Sequence, residues 1–133
     1  MDHGVRPVMT LRSQIISVKN VVVGDRVGYS GDWTATRPTR LAIAAVGYGD
    51  GYPRSACSGT PVLINGEHAA LVGRVSMDMI AIDTTDLQRE PKVGDPVVLW
   101  GEGLPIEEVA ICAETIPYTL LCGINKRVRM RFL

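Results

Sequence analysis

The segment Val46–Ser55, VGYGDGYPRS, combines three glycines and two tyrosines with an aspartate and an arginine. Its first residues are similar to a dinucleotide-binding fingerprint, whose last glycine opens a helix that meets the pyrophosphate. Here Tyr52-Pro53-Arg54 follows, so no amphipathic helix begins, and no Gly-Lys-Ser/Thr sequence forms a P-loop. The pattern argues against a phosphate-binding loop and predicts a strand end that turns on glycines. Tyr48 and Tyr52 would be displayed there, or would pack against the rim of the sheet.

Met77 lies in a second segment with polar groups, Gly73–Asp78 (GRVSMD), between a serine and an aspartate. A methionine at the start of a strand is usually core filling, but the backbone N–H groups of this segment could bind an anionic ligand. Arg74, Asp78 and Asp50 could alternatively form a structural ion network. The residues alone leave these alternatives open.

Tyr29, in GYSG, lies beside a glycine on a short predicted strand. A free phenol has a pKa of about 10, so it acts as a base near neutrality only with cations or hydrogen-bond donors nearby. The neighbouring sequence offers few such groups. From the residues alone, Tyr29 is better interpreted as an ordinary aromatic at the rim of the fold.

The composition excludes several classes of protein. The 133 residues suit one domain, and 14 basic and 14 acidic side chains leave no net charge to recruit nucleic acid or an anionic membrane. No apolar stretch approaches the ~20 residues that span a bilayer. Because no leader segment opens the chain, we expect a cytoplasmic protein. No metal-ligand spacing is present, which predicts no metal site and three free, mostly buried thiols at Cys57, Cys112 and Cys122.

Strands dominate the elements that must position these residues. Asn65-Gly66 is the strongest hairpin signal, because both central residues of a type I′ turn need φ > 0. Turns are predicted at Val23-Gly24-Asp25 and Val93-Gly94-Asp95, and a loop is predicted from Ser30 to Thr39. Strands are predicted at Met9–Val18 (bent), Arg26–Tyr29, Thr39–Val46 (covered on both faces), Pro61–Ile64, Ala69–Val72, Met77–Thr84, Pro96–Trp100 and Arg127–Leu133.

A helix is predicted with its first turn at Pro105, followed by two glutamates near its positive end. Pro117 is expected to end this helix, and Tyr118–Ile124 is a possible second one. The fold class is therefore mainly β, a compact β-barrel-like domain with one or two short helices near the C-terminus.

Taken together and in order, five segments closely resemble the C-terminal β-domain of alanine racemase. The resemblance runs from about Pro7 to the end and implies a leading segment over 1–8 and this domain over 9–133. It also implies a missing N-terminal (β/α)₈ barrel, whose lysine forms the Schiff base with pyridoxal 5'-phosphate. The chain is therefore interpreted as a fragment, inactive alone. The five segments are GYSGDW (28–33), VGYGDGYPR (46–54), VGRVSMDM (72–79), VGDPVVLWGEG (93–103) and RVRMRF (127–132).

The resemblance implies a role for each matching residue. Tyr29 corresponds to the base that takes the α-proton of L-alanine, and it would act in the partner subunit's active site within a head-to-tail homodimer. The backbone N–H of Met77 would bind the substrate carboxylate, and Tyr118 would hydrogen-bond the cofactor phosphate. The substrate entrance would be lined by Tyr48, Arg54, Arg74 and Ile116, with Tyr48 reaching inward and Arg54 further out.

Two alternatives stay open. One is a racemase of broader amino-acid specificity, or a related barrel decarboxylase, although the GRVSMDM and GYGDGYPR segments favour a racemase. The other is a non-catalytic β-barrel binding module. Thr119 and Trp33 depart from the residues common in the family, which leaves the geometry of the entrance open rather than the type of reaction.

Overall fold

A computed structural model of the chain describes residues 10–27 and 33–124. The strands are β1 (Leu11–Val21), β2 (Arg26–Val27), β3 (Trp33–Thr34), β4 (Thr39–Ala44), β5 (Pro61–Ile64), β6 (Glu67–Val72), β7 (Ile80–Asp83) and β8 (Pro96–Trp100). A 3-10 turn spans Tyr48–Asp50, and two helices follow, α1 (Ile106–Cys112) and α2 (Pro117–Gly123). Strands β1-β4-β7-β6-β5-β8 close into an antiparallel barrel, and β2 pairs with β3. The predicted fold class is confirmed.

Strand β1 closes the barrel because it pairs with two neighbours. Residues 11–14 pair with β8, and residues 15–21 pair with β4. The register shifts just after Ile15, and there Ile15 N–H donates to Asp95 O (3.0 Å) while Gly94 N–H donates to Ile15 O (2.7 Å). A bulge of this kind bends a strand. The predicted bend is confirmed for the described residues, and the strand extends to Val21.

The hairpin between β5 and β6 also agrees with the sequence prediction. Ile64 pairs with Glu67, and Asn65 (φ 51°) and Gly66 (φ 82°) both have positive φ. The Asn65 amide donates to Asp95 Oδ2 (2.9 Å), which ties the hairpin to the turn before β8. This bond, and then the one from the Lys92 N–H, lowers the pKa of the Asp95 carboxyl.

Strand β4 is covered on both faces, as its apolar run predicts. Ala42 and Ala44 join the main core, which surrounds Trp100. On the other face, Leu41 joins a smaller cluster with Val27 of β2. The β2–β3 pair therefore packs against the outside of the barrel wall. The sequence analysis predicted a loop over the residues that form β3.

Other boundaries also differ from expectation: β4 ends at Ala44 rather than Val46, and β6 begins at Glu67 rather than Ala69. The strand predicted from Met77 begins only at Ile80, because the preceding residues form a tight turn. Pro117 begins α2 rather than ending α1, since a proline at the first helical position loses no hydrogen bond. Helix α1 has already ended at Cys112. The leading segment 1–8 and the predicted strand Arg127–Leu133 lie outside the described residues.

Tyr52 is a core residue rather than a displayed one. Its side chain is 1% exposed and its ring stacks on Trp100, with centroids 6.1 Å apart and planes at 12°. Among the described residues, neither the Tyr52 hydroxyl nor the Trp100 indole N–H has a hydrogen-bond partner. Burial, followed by the charges of Cys112 and Cys57, raises the pKa of Tyr52.

The three cysteines are free thiols, as predicted, but the expectation that most are buried is wrong. Cys57 and Cys122 are exposed and Cys112 is half-buried. Cysteine is among the most often buried residue types, so composition alone favoured the wrong environment.

The substitution Tyr52→Phe is expected to raise the free energy of unfolding by about 1 kcal/mol at neutral pH, because it removes a buried hydroxyl without a described partner. Folding raises the pKa of Tyr52. The contribution of the Tyr52 protonation equilibrium to stability is therefore complete below a pH of about 10, the pKa of an unfolded tyrosine, and is lost as the pH rises further. Urea unfolding should show that Tyr52→Phe exceeds the wild type in free energy of unfolding by more at about pH 11 than at neutral pH.

The matched control is Tyr48→Phe, which removes the hydroxyl of an exposed tyrosine from the same glycine-rich segment. It should change stability little at either pH. A loss of stability in Tyr52→Phe at neutral pH would contradict this account of the buried hydroxyl.

Candidate functional site

The register of the barrel brings two of the predicted segments to the same end. Ala44, the last residue of β4, pairs with Ile80, the first residue of β7. Val72, the last residue of β6, pairs with Ala81. The chain leaving β4 towards Tyr48 therefore lies beside the chain entering β7 from Met77.

Backbone hydrogen bonds join these two segments directly. Tyr48 N–H donates to Ser76 O (3.0 Å), and Gly49 N–H donates to Met77 O (2.9 Å). The approach depends on Gly47, where an added Cβ would lie 2.2 Å from Ser76 O. Gly47 N–H also donates to Asp50 Oδ2 (3.0 Å), which holds the 3-10 turn together. The glycines of this segment therefore allow close backbone packing, and no phosphate-binding loop is formed.

Helix α2, which carries Tyr118, packs against the same segment. An added Cβ at Gly51 would lie 2.2 Å from Gly123 O, and Gly51 has a φ of +101°, which disfavours any other residue. Three segments thus meet at one end of the barrel through backbone atoms. We call this surface, formed by residues 45–54, 73–79 and 116–124, the loop end.

Met77 lies near the tip of a tight turn in the loop end. Ser76 closes this turn, because its Oγ donates to Met79 O (2.7 Å) and accepts from Met79 N–H (3.1 Å). The Met77 side chain is 52% exposed, and no described residue accepts a hydrogen bond from its backbone N–H. The predicted strand misses this turn, although a serine that bonds nearby backbone groups is a typical turn residue.

Tyr48 and Arg54 contact each other rather than occupying separate layers. The guanidinium carbon of Arg54 lies 4.8 Å from the centroid of the Tyr48 ring, within the range of a cation–π interaction. Tyr48 remains 38% exposed at the surface of the loop end. The sequence analysis assigned both residues to one entrance but did not predict this stacking, which depends on how the loop folds back.

Tyr118 is 71% exposed near the start of α2. A hydrogen bond with the Cys122 side chain, and then the charge of Cys122, raises the pKa of the Tyr118 phenol. Ile116 and Arg74 are also exposed. The structure therefore brings together the segments of Tyr48, Met77 and Tyr118, whereas Tyr29 lies outside the described residues.

The side chains of Tyr48, Met77 and Tyr118 are exposed at the loop end. A cavity of about 330 Å³ lies beside Arg12, His68 and Glu102. A smaller one of about 90 Å³ lies beside Arg40 and Glu90. Tyr48, Met77 and Tyr118 line neither cavity.

Residues 10–27 and 33–124 contain no group of three or more His, Cys, Asp and Glu side chains able to hold a metal ion. The helices within these ranges are too short to cross a membrane.

Comparison with known proteins finds a matching family. Residues 8–132 match the family described as alanine racemase, C-terminal domain. The chain is 55% identical over 131 residues to the alanine racemase of Chromohalobacter salexigens, and the match covers 98% of this chain and 36% of that protein. The chain therefore spans only about 36% of the length of this curated relative.

Solved structures give the same result for the fold. The biosynthetic alanine racemase of Pseudomonas aeruginosa matches with a TM-score of 0.93 and 52% identity, over 96% of this chain and 36% of that one. The alanine racemase of Bartonella henselae with covalently bound pyridoxal phosphate matches with a TM-score of 0.84 and 36% identity, over 89% of this chain and 33% of that one.

The substitution Gly47→Ala is expected to lower the free energy of unfolding by about 3 kcal/mol, because the new Cβ separates the two loops and breaks their hydrogen bonds. The control Gly59→Ala introduces a Cβ that meets nothing within 4 Å, at a φ of +99°. It should cost only about 1 kcal/mol of backbone strain. Urea unfolding gives the free energy of unfolding of both variants. An equal loss of that free energy in the two would contradict the proposed role of Gly47.

Proposed function

The chain belongs to the alanine racemase family, whose C-terminal domain it matches, and on that basis we propose that the whole protein interconverts L- and D-alanine with pyridoxal 5'-phosphate. Residues 9–133 would form its C-terminal β-domain. The observation that carries this proposal is the family match over residues 8–132. The free state of all three cysteines is in keeping with a reducing compartment, and we place the protein in the cytoplasm.

The exposed side chains of the loop end support the proposal that other polypeptide completes the active site. Exposed apolar side chains cluster on surfaces that another chain or domain covers. Here they include Met77, Met79, Ile116 and Tyr118. We propose that the N-terminal barrel domain of the same protein and a second subunit of a homodimer cover this end. The substrate would then bind between this domain and those partners.

Met77 is the proposed contact for the substrate carboxylate. Its N–H points from a turn that Ser76 and the neighbouring loop already hold in place. A preorganised backbone donor binds an anionic group without a cost of reorientation. The stacked pair of Tyr48 and Arg54 would form a wall of the entrance, which favours a small amino acid over larger ones.

Tyr118 fits the phosphate end of the cofactor, since its exposed phenol can donate a hydrogen bond to a phosphate oxygen. The described lysines, Lys19 and Lys92, are exposed on β1 and in the turn before β8, outside the three segments of the loop end. The lysine that attaches the cofactor is therefore expected in the remainder of the protein. When bound, pyridoxal phosphate supplies an electron sink for the carbanion at the substrate Cα.

Tyr29 is the proposed base on the L-alanine side. A phenol takes a proton near neutral pH only if cations or donors stabilise the phenolate. The surrounding sequence supplies few of them, so the partner polypeptide would supply the rest. The proton would pass from the substrate Cα to the Tyr29 hydroxyl oxygen, and a base of the barrel domain would serve the opposite face.

In the full-length enzyme, Tyr29→Phe is expected to reduce racemisation by a factor of about 10² to 10⁴, the usual contribution of a general acid or base. The equilibrium constant of a racemisation is one, so kcat/KM must fall by the same factor in both directions. Exchange of the α-hydrogen with solvent separates the two bases, and it should be lost for L-alanine but retained for D-alanine. Undiminished racemisation, or equal loss of exchange for both isomers, would contradict the role of Tyr29.

The isolated chain is expected to show neither the absorbance of cofactor bound to a lysine nor any racemisation of alanine. It contributes only one part of the proposed site and spans only part of its relatives. Titration with pyridoxal phosphate and an assay for D-alanine measure this directly, and the full-length protein is the positive control. Turnover by the chain alone would overturn the proposed division of the site.

A further inference from the structure

The segment after Arg54 docks on the C-terminal end of α1. Ser55 Oγ donates to Ala113 O (2.8 Å), and the Cys57 thiol donates to the backbone O of Cys112 (3.4 Å). The last carbonyl groups of a helix have no partner within the helix, so side chains from elsewhere can satisfy them. As a result, the sulfur of one cysteine contacts the backbone of another that is 55 positions away.

Both cysteines are held in place by their own surroundings. The carbonyl of Cys57 accepts from both the N–H (3.1 Å) and the hydroxyl (2.7 Å) of Thr60, which is fully buried. Cys112 is the last residue of α1, and the next residue, Ala113, donates its N–H to Val109 O (3.0 Å). The approach of the two segments is therefore part of the fold and does not depend on a flexible contact.

Tyr52 lies close enough to both thiols to feel their charge. The charges of both Cys112 and Cys57 add to the effect of burial in raising the pKa of its phenol. Cys122 is exposed on α2, where its side chain raises the pKa of Tyr118 instead. Among the three cysteines, the geometry thus singles out one pair.

We propose that Cys57 and Cys112 form an intramolecular disulfide when the protein is exposed to hydrogen peroxide. The inference does not depend on the reaction proposed above. Cys57 is exposed and meets the oxidant first, whereas the half-buried Cys112 reacts with the product. A disulfide needs a bond of about 2 Å and Cα atoms about 4.4–6.8 Å apart. The contact of Cys57 Sγ with the Cys112 carbonyl brings the two residues together, and rotation of the two side chains would then have to bring the sulfur atoms within bonding distance.

The chemistry balances with peroxide as the only oxidant. The Cys57 thiolate attacks one peroxide oxygen, the O–O bond breaks, and hydroxide leaves as Cys57 becomes a sulfenic acid. The Cys112 thiolate then attacks that sulfur, the S–O bond breaks, and the departing oxygen takes up a proton to become water. Two thiols are oxidised, and one peroxide is reduced to two waters.

The disulfide would connect two stretches of chain that adjoin the loop end. Cys57 follows Tyr48 and Arg54 along the chain, and Cys112 precedes the helix that carries Tyr118. Oxidation would therefore fix the distance between these segments. Reduction by a dithiol reagent would restore the two thiols and leave the segments joined by the hydrogen bonds alone.

The test uses the full-length protein, treated with limiting hydrogen peroxide and then alkylated and digested. Trypsin cleaves after Arg54 and Lys92, and cleavage after Glu114 then separates Cys112 from Cys122. We expect one linked pair, Cys57 with Cys112, lighter than the two free peptides by two hydrogen atoms. Mass spectrometry should detect it before dithiothreitol treatment and not after.

An unfolded sample provides the sharpest control. In urea the shortest loop closes most readily, so the pair Cys112–Cys122, ten positions apart, should become the main product. In the folded protein, Cys122→Ser should leave the Cys57–Cys112 link intact. Cys57→Ser and Cys112→Ser should each abolish it and leave no substitute pair.

Any of three results with the folded protein would overturn the proposal. Cys57 could form its disulfide with Cys122 or with another molecule, or it could be oxidised to a sulfinic acid without forming a disulfide. In the third result, neither Cys57 nor Cys112 reacts with peroxide.

Discussion

Closure of the barrel by β1 is the constraint on which the remaining structure depends. A strand that pairs with β8 at one end and β4 at the other must bend, and the bulge after Ile15 provides the bend. The turn before β8 bonds to Ile15 at that point and also receives the Asn65 side chain from the β5–β6 hairpin. Since a closed barrel has no free edge, the register of each strand is then determined by its two neighbours.

The loop end follows from that register. The pairing of β4 with β7 places Tyr48 and Met77 in adjacent segments, and Gly51 accepts the end of α2 beside them. The contacts that hold the loop end are mostly between backbone atoms, and the candidate functional side chains project from it. The proposed site would be completed by other polypeptide, and the chain covers 36% of a related enzyme.

Local chemistry made part of this structure predictable. The Asn65-Gly66 turn, the apolar strand β8 and the two-sided burial of β4 depend on turn geometry or on a continuous apolar run, which a sequence displays directly. Tyr48 and Tyr52 could not be distinguished, because both follow a glycine in one segment and only the path of the loop buries one of them. The Met77 turn was missed for a similar reason, since alternating apolar residues also occur in a turn closed by a serine. The roles of Tyr29, Met77 and Tyr118 came from resemblance and remain predictions.

The glycine contacts of the loop end have an evolutionary consequence. Gly47 and Gly51 set the relative positions of three segments without using any side chain of their own. Neighbouring positions such as Tyr48, Arg54 and Met77 can then mutate one at a time while the frame stays where it is. With the proposed roles of these side chains, descendants of such a domain could explore new substrate preferences gradually, because the residues of recognition would differ from those that hold the fold.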